Sequence, residues 1–141
     1  MLLTHIDSKY TLKETRTLPF ELIVSLDYQV SAKGLFILDD GLSSECKQQQ
    51  ITVLGRVAYD VAKSTDLVCL CTPGRLDIQV SGDYREHPDL RSVTILGVLE
   101  KPESCRVAGR DVSFYYDRDL QRLQMVELGV SLHQDLEMLW A

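Results

Sequence analysis

The stretch "RLDIQVSG", residues 75–82, alternates one residue at a time: Leu76, Ile78 and Val80 fall on one side of an extended chain, Asp77, Gln79 and Ser81 on the other. Successive side chains of a strand point to opposite faces, so this is the pattern of a sheet with one dry and one wet face. Just before it lie a "TPGR" turn and the apolar run "DLVCLC" (66–71); just after it, "SGDYREHPD" gathers Gly, Pro and Asp residues that break regular structure. Further out toward the N-terminus come "FELIVSL" (20–26), "GLFIL" (34–38) and "ITVLGRVAY" (51–59). On the C-terminal side, "RSVTILGV" (91–98), "VSFYY" (112–116), "RLQMVEL" (122–128) and "DLEMLW" (135–140) continue the series. "SAKG", "DDG", "EKPES" and "GRD" punctuate it. Strands at this spacing, with no sustained helical period between them, predict an all-β fold, an antiparallel β-sandwich of about 8–10 strands. Within 47–65, "RVAYDVAKS" fits a turn or two of helix as well as it fits a strand. In "DLEMLW", Leu136, Met138 and Trp140 share one face, which ties the chain end into a sheet and turns the Trp into the core.

With 141 residues, the chain has enough material for one core. Its 45% hydrophobic and 26% charged residues are those of an ordinary globular domain, which disfavours disorder. No apolar run approaches the roughly 20 residues of a membrane helix. A net charge of -6 and scattered Lys and Arg argue against nucleic acid or an anionic lipid surface as partner. The first residues, "MLLTHIDSKYTLKETR", lack the apolar h-region of a signal peptide.

Candidate chemistry is sparse. Cys46, Cys69, Cys71 and Cys105 have no CxxC spacing, and His5, His87 and His133 are far apart, so neither a metal site nor a cofactor is expected. Cys69 and Cys71 lie two apart, on one face of a strand, and read as small buried hydrophobes. In "GLFILDDGLSSE" (34–45), Asp39 and Asp40 are adjacent, so on an extended backbone their carboxylates diverge. Paired glycosidase acids face each other across about 5–9.5 Å and normally come from separate segments. Asp39, Asp40 and Gly41 therefore read first as a turn, with contact to a neighbouring domain or an ion as the alternative. His87 in "HPD" reads as a solvated loop residue. Tyr115 and Tyr116 face opposite ways on a strand; with Tyr84 they are the residues that would stack on a sugar ring. No set of residues makes an active site.

The segment "LPFELIVSLDYQVSAKGLFILDDG" (18–41) resembles a segment of glycoside hydrolase family 31, the α-glucosidases of the lysosomal acid α-glucosidase, maltase and sucrase type. There, a run such as "NPLELIVALDENGEAKGELFWDDGES" opens the distal C-terminal β-sandwich. Further on, "VTILGV", "CRVAG", "VSFYY", "LQMVEL" and "LEMLW" follow the family's closing strands in the same order. Leu38 stands where the family has an aromatic residue and Leu42 where it has Glu, and 42–75 departs most. The likeness spans roughly 10–141. It implies a linker from a preceding domain over 1–17 and a C-terminal sandwich over 18–141. The catalytic aspartates of such enzymes sit on a (β/α)₈ barrel of about 250 residues, which this chain does not contain. What the resemblance implies is a non-catalytic accessory domain, inactive alone. Its partners would be a catalytic barrel and a proximal C-terminal domain, in a lysosomal or secreted setting. A carbohydrate-binding sandwich that takes glycans is the alternative.

Overall fold

A computed structural model of the chain describes residues 1–5, 11–39, 46–53, 56–61, 64–82 and 85–141. In chain order its elements are β1 (Leu2–His5), α1 (Leu12–Thr15), β2 (Phe20–Ser25), β3 (Ala32–Asp39), β4 (Cys46–Val53), β5 (Arg56–Val61), β6 (Ser64–Thr72) and β7 (Arg75–Gly82). There follow β8 (Leu90–Leu96), β9 (Cys105–Val107), β10 (Arg110–Asp111), β11 (Phe114–Asp117), β12 (Arg122–Met125) and β13 (Leu136–Trp140). The protein is an all-β sandwich. One sheet has five strands in the order β1-β2-β8-β12-β11, the other six in the order β10-β9-β13-β7-β6-β3, and β4 and β5 form a hairpin of their own.

The short helix begins with a reciprocal cap: the Glu14 amide donates to Thr11 Oγ1 over 3.2 Å, and the Thr11 hydroxyl donates to Glu14 Oε2 over 3.0 Å.

Alternation builds the core. Phe20, Leu22 and Val24 of β2, Val93 and Ile95 of β8, and Leu123 and Met125 of β12 point inward from the five-stranded sheet. Leu67, Cys69 and Cys71 of β6, Leu76 and Ile78 of β7, and Leu136, Met138 and Trp140 of β13 meet them from the other. Met1 and Leu3 pack against the margin of the same core. The terminal strand is pinned by the turn before β7. Gly74 sits at φ 74°, and a Cβ there would lie 3.0 Å from the Trp140 carbonyl oxygen. The Gly74 carbonyl accepts the Trp140 amide at 3.0 Å. A side chain at this position would meet both strain and backbone.

Three features differ from the sequence expectation. The described residues hold thirteen strands, more than the eight to ten expected, because a piece as short as β10, two exposed residues, carries no hydrophobic signature of its own. The "RVAYDV" stretch is strand rather than helix: β5 pairs antiparallel with β4, with a register shift between Lys47 and Ile51. And β2 runs parallel to β8, beside an otherwise antiparallel ladder. Parallel neighbours need a long crossover, and here β3, β6 and β7 intervene on the opposite sheet.

Candidate docking surface

On β3, the inward residues are Ala32, Gly34, Phe36 and Leu38; Lys33, Leu35 and Ile37 point out. On β6, Thr65, Leu67, Cys69 and Cys71 are buried, leaving Asp66, Val68 and Leu70 outside. The antiparallel register sets Leu35 opposite Val68, Lys33 opposite Leu70 and Ile37 opposite Asp66. Four aliphatic side chains therefore adjoin on one outer face, with Leu35 46%, Ile37 47%, Val68 46% and Leu70 41% exposed. Lys33 and Asp66 stand at the ends of this strip. Single exposed aliphatics are ordinary, but contiguous ones mark surfaces that meet something else. β3 is also the edge strand of its sheet. A hydrophobic edge left open is an aggregation hazard that natural sandwiches cover or charge.

The rest of that outer face is closed by ion pairs. Arg75 on β7 grips Asp77 with Nε at 2.7 Å and Nη2 at 2.9 Å, and its Nη2 reaches Glu137 of β13 at 2.8 Å. Arg106 on β9 pairs with Asp111 at 2.9 Å. Among the described residues, only Leu139 interrupts this half with an exposed aliphatic.

The opposite outer face, on the five-stranded sheet, is mixed: Leu2 of β1, 56% exposed, stands in register with Ile23 of β2, and polar residues occupy the strands beyond. Thr94 of β8 donates to Glu21 Oε1 of β2 over 3.2 Å, and Gln124 of β12 stands in register between Thr94 and Tyr115 of β11. Tyr115 is 68% exposed. Tyr116 turns the other way, half-buried, and its hydroxyl donates to the Val98 carbonyl over 2.8 Å. The two tyrosines thus do not form one platform, and Tyr84 lies outside the described residues. Asp39 is the last residue of β3, on the strand that carries half of the aliphatic strip. Asp40 and Gly41 lie outside the described residues.

The cysteines Cys69, Cys71 and Cys105 are buried free thiols. Burial pushes the Cys69 thiol up to about 12, and the Cys71 and Cys105 thiols up to about 11. No group of three or more His, Cys, Asp or Glu that could hold a metal occurs among the described residues. Nor is any helix among them long and apolar enough to cross a membrane. His87 is not the freely solvated loop residue its sequence suggested. It is half-buried, edge-on to His133 with ring centroids 4.6 Å apart.

The family resemblance implies one exposed apolar docking patch, and the sequence did not locate it on these strands, although the signal is present. "GLFIL" and "LVCLC" are apolar on both faces, whereas "RLDIQVSG" alternates. On an extended strand, apolar residues at both parities give an apolar outer side as well as an apolar inner one.

Comparison with known proteins gives a consistent picture. The chain is 36% identical over 109 residues to glucoamylase 1 of Schwanniomyces occidentalis, covering 77% of this chain and 10% of that protein. It is 34% identical over 119 residues to an α-glucosidase of Schizosaccharomyces pombe, covering 84% of the chain and 11% of the relative. An α-glucosidase of Candida tsukubaensis is 27% identical over 133 residues, 94% of the chain and 11% of the relative. Schizosaccharomyces pombe proteins described as family 31 glucosidases match as well. The chain spans about a tenth of the length of these relatives. Among solved structures, glucosidase II α subunit with bound DNJ superposes with a TM-score of 0.72 at 11% identity, over 99% of this chain and 16% of that one, a likeness of fold. No family model matches the chain.

Proposed function

The chain is homologous to a segment of the family 31 glucosidases, and from that premise we propose that it is a non-catalytic accessory β-sandwich of an α-glucosidase. One observation carries this reading: between 77% and 94% of the chain matches, yet it corresponds to only about a tenth of each relative. In this reading residues 1–17 lead out of a preceding domain and 18–141 form the C-terminal sandwich. The first of those residues, Leu2–His5, also add an edge strand to it. Cleavage of α-glucosidic bonds belongs to a barrel that the chain does not contain. Its own task is mechanical: the Leu35, Ile37, Val68 and Leu70 strip beds against an apolar face of the adjoining parts of the enzyme. Burying those side chains would remove apolar area from water, at about 25 cal/mol per Å². Asp39 ends the same strand, and with Asp40 and Gly41 it serves as a contact to that neighbour.

The test is an assay of the isolated chain on a chromogenic α-glucoside. No turnover is expected. Turnover that disappears in Asp39→Asn or Asp40→Asn would overturn the reading.

A second reading, a glycan-binding module, is favoured by the exposed Tyr115 ring beside Gln124. An aromatic face flanked by an amide is what a sugar ring stacks on and hydrogen-bonds to. Titration with maltooligosaccharides would move the NMR signals of Tyr115 and Gln124. Unchanged spectra at millimolar sugar would dismiss this second role.

A further inference from the structure

Two crossovers between the sheets meet at a pair of imidazoles. The connection from β7 to β8 carries Arg85, His87 and Asp89, and the connection from β12 to β13 carries Val130, Ser131 and His133. Each passes from one sheet to the other. They are joined by backbone: the Leu90 amide donates to the Val130 carbonyl over 2.8 Å, and the Val130 amide returns to Leu90 over 3.1 Å. The Arg85 guanidinium donates to the His133 carbonyl. The rings themselves stand edge to face, 4.6 Å between centroids and 72° between planes. The Nε2 atoms of both rings are shut off from water.

We propose that His87 and His133 form an acid-sensitive clasp, closed while the His87 imidazole is neutral and loosened when a proton arrives on it. His87 Nδ1 lies 3.2 Å from the Pro88 carbonyl, an acceptor, so Nδ1 carries the proton of the neutral ring. The added proton must go to Nε2, away from water and beside a second imidazole. A charge there has lost its hydration, and the cation of Arg85 adds repulsion. Burial, the neighbouring His133 and Arg85 hold the His87 imidazole below the ordinary value of 6.5, against the pull of Asp89 and of the Pro88 carbonyl. Among the described residues, His133, Arg85 and Asp89 are charged or titratable groups whose fields reach it.

The direction follows from linkage. Between the lowered value in the folded chain and about 6.5 in the unfolded chain, the unfolded form binds more protons, so stability rises with pH. The contribution is present above about 6.5 and is lost as pH falls through the folded value. What gives way first is the junction of the two crossovers, at one place where the chain passes between sheets.

The experiment compares the chain with His87→Phe and His133→Phe, each keeping a ring in the contact without a titrating group. Unfolding midpoints at pH 7.5 and 5.5 and amide protection factors at Leu90 and Val130 are measured for all three. The expected result is a fall in midpoint on acidification that is smaller in His87→Phe. Protection at Leu90 and Val130 should drop by about tenfold in the unsubstituted chain and stay level in that variant. Should either variant fail to fold, an NMR titration of the His87 ring in the unsubstituted chain decides alone, with a midpoint below about 6.5 expected. An equal fall in His87→Phe, or a His87 midpoint at or above that value, overturns the proposal.

Discussion

On the outer face of the six-stranded sheet, β3 and β6 present Leu35, Ile37, Val68 and Leu70, while β7, β13 and β9 present Arg75, Asp77, Glu137 and Arg106. Both halves have the same pleat and share one core beneath. The difference lies wholly in what the outward parity carries. Ion pairs that bridge neighbouring strands satisfy themselves in water and need no partner. Aliphatic side chains on an edge strand gain by being covered. A sheet can thus be finished with ion pairs on one side and carry an aliphatic strip on the other.

The comparison of inward and outward parity is sharpest within β6 itself. Leu67 is 1% exposed and faces the core, and Leu67→Ala is expected to cost about 2–5 kcal/mol of folding free energy in denaturant unfolding. Its neighbour Val68 points out, and Val68→Thr should change stability by no more than about 0.5 kcal/mol. Equal losses at the two positions would mean that the outer strip belongs to the core.

Thiol chemistry reads the same alternation. At pH 8 the thiolate fraction of Cys69, with its thiol raised from 9.0 to about 12, is lower by about a thousandfold than that of an ordinary cysteine. Native Cys69 should resist alkylation, while a thiol introduced by Val68→Cys should react at the rate of an exposed cysteine. The raised values also set an alkaline limit. Above about 9 the unfolded chain releases thiol protons that the folded chain retains, so stability falls as pH rises toward the folded values. Fast alkylation of Cys69 at pH 8 would break this picture.

The smallest effect is expected on the finished half. Arg75→Gln removes both of its carboxylate contacts at the surface, where solvent and salt screen them. The thermal midpoint should be nearly unchanged in physiological salt, with any decrease visible only at low ionic strength. A large, salt-independent loss would show that the ion-paired half is structural in a way its exposure does not suggest.

Much of this was legible in the residues. "RLDIQVSG" and "DLEMLW" alternate because each has one wet face, and both became the strands their spacing demanded, with Trp140 inside. The two-residue separation of Cys69 and Cys71 likewise placed both thiols in the core. Pairing order was not legible. A strand's face pattern does not name its neighbours, so the parallel β2–β8 pair came only with the fold. The strip was half-written, since "GLFIL" shows apolar residues at both parities but not which of them the sandwich leaves outside. His87 and His133 were invisible as a pair, because two inter-sheet crossovers bring together residues remote in sequence.

The most direct test of the docking surface uses a family 31 glucosidase, such as the α-glucosidase of Schizosaccharomyces pombe, with its homologous segment deleted. Labelled chain is titrated against it, alongside the doubly substituted Leu35→Lys, Val68→Lys form. Saturable binding of the unsubstituted chain is expected, weakened at least about tenfold by the two lysines, a change worth about 1.4 kcal/mol. Binding that the lysines leave untouched, or no binding by a chain that is folded, would contradict docking through this surface.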